Sequence, residues 1–230
     1  MNELLGAWRR HARANEHLTN LDTLITQIRQ LCEQGVLAEN DPETGELIPS
    51  EIILSPLRLN AGVLIGEIAG NLRASLDYLV YVLAENDSGS PQRGTQFPIE
   101  DTPQGFTGRS PKLLVGVSDE HVAVIRQFQP YKGCEWTGIL RDLDNAAKHR
   151  EVLSVGVDLN VASVLTLAEH HLGGQLDAQG VPENVGMNMY LKGPAEILLP
   201  EGRPIMQTLQ QLHFQAGLLL NLFSYEFPAG

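Results

Sequence analysis

The chain has 230 residues, of which 43% are hydrophobic and 19% charged, and this composition is typical of one folded globular domain. The formal net charge of -12 argues against a protein that coats nucleic acid or anionic membrane, because such binding needs a basic surface that releases counterions. Cys32 and Cys134 form no Cys-x-x-Cys pair, so we expect two buried thiols without a disulfide framework. We also expect a cytoplasmic protein without a signal peptide or a membrane-spanning segment.

The first third of the chain predicts a helix, a hairpin and a second helix. Apolar residues at helical spacing run from about Glu3 to Gln34, and Gly35 follows as a stop. The turn signal Asp41–Gly45 then lies between two β-leaning pieces, which predicts a hairpin over about residues 36–55. Pro56 is expected to lead into the next helix.

The second helix is predicted from Asn60 to Glu85 and has two distinct faces. One is an apolar stripe, and the other carries three glycines followed by Arg73 and Asp77. Each helix-interior glycine costs about 1 kcal/mol relative to alanine, so we expect a neighbouring element to approach that face closely. The apolar stripe consists of Ile65, Ile68, Leu72, Leu76, Leu79 and Leu83, and the glycines are Gly62, Gly66 and Gly70.

Residues 86–114 are rich in Gly, Pro, Ser, Thr and Gln and are predicted to be mostly loop. A loop of this length is uncommon in a compact domain, so it is interpreted either as a cover over a site or as a surface loop fixed by Phe97 and Phe106. Two helices are predicted next, one after the N-cap Ser118 and one from about Glu135 to Arg150.

The last third of the chain is β-rich and ends in a helix. Residues 152–200 contain three or four strand-like segments with period-two patterning, and a final helix is predicted from Pro204 to about Tyr225. We therefore predict an α+β fold in one domain, 1–230. It has a bundle of four or five helices from about residues 1–150 and 204–226, beside a small antiparallel sheet formed mainly by residues 152–200.

Two helical segments carry polar residues that a simple core does not require. If these helices pack together, Arg73 and Lys148 could hold an anion such as phosphate, and His149 could donate or accept a proton. The alternative is structural, with Arg73 paired to Asp77, Asp144 paired to Lys148, and Asn145 and His149 fixing a helix end. The candidate residues are Asn71, Arg73, Asp77 and Tyr78 in the first segment and Arg141, Asn145, Lys148 and His149 in the second.

No cofactor or metal is expected. Adjacent side chains such as His170 and His171 diverge on either a strand or a helix, so Glu169-His170-His171 is a poor chelate. The sequence also lacks His-Glu-x-x-His, a phosphate-binding Gly-x-x-x-x-Gly-Lys-Ser/Thr loop and a Gly-x-Ser-x-Gly elbow, which argues against a zinc protease, a P-loop NTPase and an α/β-hydrolase.

Four short motifs follow one another between about residues 15 and 155. Their order resembles the successive signatures of an uncharacterised family of bacterial proteins, a resemblance that brings no established activity. The motifs are Asn-Leu-Arg-Ala-Ser-Leu-Asp-Tyr-Leu-Val-Tyr from Asn71, Thr-Gln-Phe-Pro-Ile from Thr95, Gln-Pro-Tyr from Gln129 and Asn-Ala-Ala-Lys-His-Arg from Asn145.

In many members of that family a histidine stands at the position of Tyr78, which gives Arg-x4-His on a helix. This spacing is similar to the motif of HEPN domains, all-helical modules that include metal-independent ribonucleases of toxin and defence systems. The resemblance implies an arginine that contacts the scissile phosphate and a histidine that moves protons during attack by the RNA 2′-hydroxyl. Arg73 carries over, whereas Tyr78 interrupts the motif, because tyrosine is protonated at neutral pH and is a poor general base.

These observations leave two hypotheses. The first is a non-enzymatic interaction or ligand-binding protein, a homo-oligomer that binds a small anionic ligand at a polar helix–helix site. The second is a HEPN-like metal-independent ribonuclease, in which Arg73 and Lys148 bind the phosphate of RNA and His149 replaces the missing histidine as acid and base.

Overall fold

A computed structural model describes residues 4–149, 153, 155–170, 185–225 and 227, without the side chains of residues 149, 167–170 and 185–187. The chain divides into two compact units. The first contains Met1–Asp22, Gly62–Leu153 and Ile205–Gly230, and the second contains Thr23–Ala61 and Ser154–Pro204. The expectation of a single domain over 1–230 stays a prediction.

The predicted α+β class is confirmed. The structure has a set of helices together with short antiparallel strands and, apart from α3, they follow the order that the patterning predicted. The helices are α1 (Leu5–Gln34), α2 (Glu51–Ser88), α3 (Pro103–Leu113), α4 (Asp119–Gln127), α5 (Glu135–His149) and α6 (Ile205–Ser224), with a 3-10 turn at Pro130–Lys132. The strands are β1 (Val36–Asn40), β2 (Leu47–Pro49), β3 (Gly156–Leu159), β4 (Ser163–His170), β5 (Val185–Lys192) and β6 (Ala195–Leu198).

The second unit contains all six described strands in two antiparallel sheets. One sheet has the order β2-β1-β5-β4, and β3 pairs with β6 in the other. The predicted hairpin is therefore part of the sheet, because β1 pairs with β5 through Val36 opposite Leu191 and Leu37 opposite Tyr190. Pattern alone did not indicate this pairing, which joins residues more than 150 positions apart.

Helix α2 begins earlier than predicted and replaces most of the second hairpin strand. The hairpin was predicted over about residues 36–55, but its second strand ends at Pro49 and the helix starts at Glu51. The missed start signal is Ser50, whose buried hydroxyl accepts from the Ile52 N–H at 3.4 Å, followed by an acidic first-turn residue. The apolar run after Glu51 resembled a strand because Ile and Leu occur in buried strands and buried helices alike.

The apolar stripe predicted on α2 forms part of the core of the first unit. All six of its residues are fully buried: Ile65, Ile68, Leu72, Leu76, Leu79 and Leu83. Burying a Leu or Ile side chain contributes about 1.5–3 kcal/mol, so this stripe is a major source of stability for the unit. Other helices contribute to the same core, for example through Leu209, Leu212, Leu219 and Leu220 of α6.

The prediction of mostly loop over 86–114 is wrong for residues 103–113, which form α3. Thr102 caps this helix by accepting from the Gly105 N–H at 3.0 Å, and Pro103 occupies its first turn. The turn-rich composition concealed this start signal. Phe97 and Phe106 are both fully buried, as expected for a segment fixed by these two rings.

The first turn of α4 is attached to the end of α2. Ser118 caps α4 as predicted, and Asp87 accepts from the Ser118 N–H at 2.7 Å and contacts His121 Nδ1 at 2.7 Å. Burial alone would raise the pKa of Asp87, but these contacts outweigh burial, and the pKa of this carboxyl is lowered.

Among the described residues, α2 is the one helix long and apolar enough to meet the composition of a membrane span, with a window of mean hydropathy 1.5. The expectation of a chain without a membrane-spanning segment stays a prediction. The finding is weak evidence of insertion, because a core helix with a buried leucine stripe meets the same criterion.

Two histidines stack between α1 and α6. The rings of His11 and His213 lie 3.8 Å apart, His11 Nε2 donates to the His213 carbonyl at 2.9 Å, and His213 Nε2 is buried without a hydrogen-bond partner among the described residues. Burial, together with the charge that His11 can carry, lowers the pKa of His213 below its ordinary 6.5.

This pair predicts a loss of stability in mild acid. The folded state disfavours protonated His213, so the free energy of unfolding should decrease as the pH falls below about 6.5, where the unfolded chain takes up a proton more readily. Thermal unfolding between about pH 7.5 and 5.5 should show a falling midpoint, and His213→Gln should reduce that fall. Identical pH dependence in the two proteins would contradict the prediction.

Candidate functional site

The glycine face of α2 packs against α5, as the sequence predicted for a face that a neighbour approaches closely. A β-carbon at position 66 would lie 3.0 Å from Ala147 Cβ, and one at position 70 would lie 3.8 Å from Asp144 Oδ1. The first distance is too short for an unstrained contact. The glycines therefore allow α5 to approach, and their conformational cost is offset by helix packing.

Arg73 and Asp77, one turn apart on α2, hold the backbone of Phe97. Arg73 Nη2 donates to the Phe97 carbonyl, and the Phe97 N–H donates to Asp77 Oδ1 at 2.9 Å. The two side chains also form an ion pair at 3.3 Å, and both are less than one-third exposed. The motif that begins at Asn71 thus contacts the motif that begins at Thr95. The backbone N–H and carbonyl of the buried Phe97 both have partners.

The side chain of Gln129 joins residues 98–100 to α4, the helix that ends at Gln127. Its side chain is fully buried. Nε2 donates to the Pro98 carbonyl at 2.8 Å and to the Ile125 carbonyl at 3.2 Å, while Oε1 accepts from the Glu100 N–H at 2.9 Å. The sequence places Gln129 in a motif but indicates no role for it, because local patterning does not show that a glutamine is buried.

A polar cavity of about 270 Å³ lies beside these contacts, between α2, α5 and residues 96–100. It brings together five of the eight sequence-predicted site residues: Arg73, Asp77, Arg141, Asn145 and Lys148. The lining also includes Glu100 and Arg109, which sequence reasoning missed. Arg109 belongs to α3. Because this segment was predicted to be a loop, the sequence did not indicate which way Arg109 faces.

The cavity lining contains four cationic side chains and three carboxylates, and ion pairs connect them. Arg109 contacts Glu100 at 3.0 Å, Lys148 contacts Asp144 at 2.7 Å, and Arg141 reaches Asp101 at 2.9 Å. The predicted structural pairs Arg73–Asp77 and Asp144–Lys148 are therefore both present. Arg141 also contacts Asp142 at 2.8 Å. Each guanidinium has five N–H donors, so one or two carboxylate partners leave donors for other acceptors.

The groups around Asp77 lower its pKa, but by less than burial raises it. Burial raises the pKa of Asp77, while Arg73, the Phe97 N–H and Lys148 act in the opposite direction. Arg73 is also incompletely satisfied, because its buried Nη1 has no hydrogen-bond partner among the described residues.

Asn71 and Tyr78 line other cavities. Asn71 borders a neighbouring cavity of about 400 Å³, where its Oδ1 accepts from Arg10 at 3.4 Å. Tyr78 lines a third cavity and is 43% exposed, and its ring is so close to Gly6 that a β-carbon there would lie 2.9 Å from it. A residue five positions after Arg73 is rotated about 140° around the helix, so Tyr78 faces away from the Arg73 cavity.

His149 is the last residue of α5, and its side chain lies outside the described part of the structure, as do His171 and the side chains of Glu169 and His170. Within the described residues, no three His, Cys, Asp or Glu side chains are grouped closely enough to hold a metal ion. The candidate chemistry of this site therefore rests on the cationic groups, the carboxylates and Asn145.

Neither a protein-family model, a curated protein nor a solved structure matches this chain.

Proposed function

We propose that the protein is a non-enzymatic ligand-binding protein whose cavity between α2 and α5 binds a small anion bearing a phosphate or carboxylate group. The observation that supports this most directly is the composition of the lining, four cations against three carboxylates. The chain as a whole has a net charge of -12, yet four cationic side chains converge on this cavity, and the two carboxylates that Arg141 contacts, Asp101 and Asp142, lie outside the lining. Arginine donors suit both anions because their planar N–H groups match two oxygens at once.

The size and construction of the cavity support a small ligand. A volume of about 270 Å³ lies near the lower limit of small-molecule sites. Arg73 is held in place by Phe97 and Asp77, and Lys148 is held by Asp144. Charged donors fixed in advance lose little conformational entropy when a ligand binds, which favours affinity.

The same network argues for binding over catalysis. Tyr78, which stands at the position of the missing histidine, lines a different cavity. Acid–base catalysis needs a group that can exchange protons within reach of the reacting atoms. Asp77 accepts from the Phe97 N–H, so its carboxylate has a structural role.

The proposal predicts that single charge changes in the lining move anion affinity in opposite directions. Inorganic phosphate serves as the probe, titrated calorimetrically at constant ionic strength. Asp77→Asn should tighten binding by about 3–10-fold because it removes a repelling charge, and Lys148→Gln should weaken binding by a similar factor. Asparagine keeps an acceptor for the Phe97 N–H and avoids the cost of ionising a buried carboxyl, so the variant should stay folded.

Lys132→Gln is the matched control, because Lys132 is an exposed lysine at the 3-10 turn and does not line the cavity. It makes the same change in net charge as Lys148→Gln, so equal effects of the two substitutions would mean that only long-range charge matters. Binding of phosphate no tighter than that of chloride in the wild-type protein would contradict the proposal.

A HEPN-like ribonuclease is the second candidate, favoured by one observation: Arg73 and Lys148 line the same cavity. In this case the cavity would hold the scissile phosphate of RNA, and His149, the residue after Lys148, would move the protons. Purified protein should then cleave RNA in the presence of a chelator and lose that activity in His149→Ala. Under the binding proposal neither protein cleaves RNA.

A further inference from the structure

Helix α6 presents an apolar stripe to solvent on the side opposite its buried face. Phe214, Leu218, Leu222 and Tyr225 are exposed to 61%, 47%, 48% and 89%. The spacing of four, four and three residues places them on one face of the helix and just past its end. Single exposed apolar residues are ordinary, but a continuous stripe of four large side chains is the usual sign of an interaction surface.

The exposed face of α6 carries no formal charge from Ile205 to Ser224. No Asp, Glu, Lys or Arg occurs between Ile205 and Ser224, although the chain has 44 such residues, 28 acidic and 16 basic. The remaining exposed positions on this face are amides, Gln207, Gln210, Gln211 and Asn221. A partner of opposite charge would have nothing on this face to recognise.

We propose that this face of α6 is the site at which a second copy of the chain docks, with the two α6 helices packed across a two-fold axis. Two copies, each with a net charge of -12, repel each other wherever acidic surfaces meet, and an uncharged helix face is where that repulsion is smallest. Amides both donate and accept, so an amide border is complementary to itself under two-fold rotation.

The spacing of the stripe favours a copy of the same helix as the occupant. Phe214, Leu218 and Leu222 follow each other at intervals of four residues and form one continuous ridge. When ridges of this i±4 type interdigitate on both helices, they give the commonest class of helix packing in globular proteins. Two copies of α6 carry identical ridges, so the ridge of each helix packs into the groove of the other.

The dimer is expected to dissociate on dilution. A standard interface buries about 800 Å² on each partner and involves about 20–30 residues a side, more than one 20-residue helix face presents. Sedimentation velocity over a wide concentration range should therefore show the mass of two chains at high concentration and a shift towards one chain on dilution.

Leu218→Glu tests the interface, because it places two carboxylates near each other across the two-fold axis. The dissociation constant should rise at least about 100-fold. Leu218→Lys should dissociate for the same reason, and an equimolar mixture of the two variants should re-form dimers, since opposite charges then face each other. A misfolded variant would not show this rescue.

Val164→Glu is the matched control on β4. Its side chain is 48% exposed, close to the 47% of Leu218, and the substitution changes the net charge equally. It should leave the dissociation constant unchanged. A wild-type protein that stays monomeric at its highest soluble concentration, a folded Leu218→Glu variant that stays dimeric, or equal dissociation of the control would each overturn the proposal.

Discussion

Replacing Gln129 by leucine is expected to destabilise the protein by about 2–4 kcal/mol, a large fraction of the 5–15 kcal/mol that usually stabilises a domain. Leucine fills a similar volume but accepts and donates nothing. The substitution removes the partners of the Glu100 N–H and the Pro98 carbonyl. Each buried polar group left without a partner costs about 1–3 kcal/mol. Chemical denaturation monitored by circular dichroism measures the effect.

Gln127→Leu provides the matched control two positions earlier. The Gln127 side chain is exposed, so the same substitution should change the free energy of unfolding by no more than about 0.5 kcal/mol. A loss in Gln129→Leu no larger than that of the control would show that the buried amide does not hold residues 98–100. It would also weaken the proposed site, because that segment forms one wall of the cavity.

Gly66→Val is expected to cost about 2–3 kcal/mol, because it overpacks the contact between α2 and α5. The valine β-carbon would lie 3.0 Å from Ala147 Cβ, and a β-branched side chain cannot turn its branches away from the contact within a helix. The intrinsic helix preference works in the other direction, since valine is a better helix former than glycine. A net loss therefore measures the close approach of the two helices.

Gly108→Val separates the two effects, because a β-carbon at Gly108 of α3 would meet nothing within 4 Å. This control should be neutral or slightly stabilising. Ala147→Gly in the Gly66→Val background should recover part of the lost stability by making room, and the double-mutant cycle gives the coupling energy. Absence of coupling between the two positions would contradict the packing that the structure describes.

Several features of this protein follow from the sequence alone, because they depend on spacing within one element. The buried stripe of α2 from Ile65 to Leu83 follows from helical periodicity, and the cap at Ser118 follows from the preference of serine for a helix start. The cost of interior glycines indicated a close neighbour, and Ala147 of α5 is that neighbour at Gly66. Local signals of this kind also indicated the α+β class.

Local signals gave a wrong prediction where one composition suits either a helix or another structure, a strand in one case and a loop in the other. The segment Ile52-Ile53-Leu54 suits a strand as well as a helix, and the polar cap of Ser50 decides for the helix. Thr102 and Pro103 start α3 inside a stretch that appeared structureless. Both errors concern helix start signals, Ser50 and Thr102, that the composition of the surrounding segment concealed.

The candidate site itself depends on contacts that no single stretch of sequence contains. Arg73 and Asp77 meet Phe97, Gln129 meets Pro98 and Glu100, and Arg109 completes a cavity with Lys148. Spacing did predict the i, i+4 ion pairs, because one helical turn brings their partners together. Tertiary structure alone gave the segment from Phe97 to Glu100 its partners, since these contacts join residues that are distant in the chain.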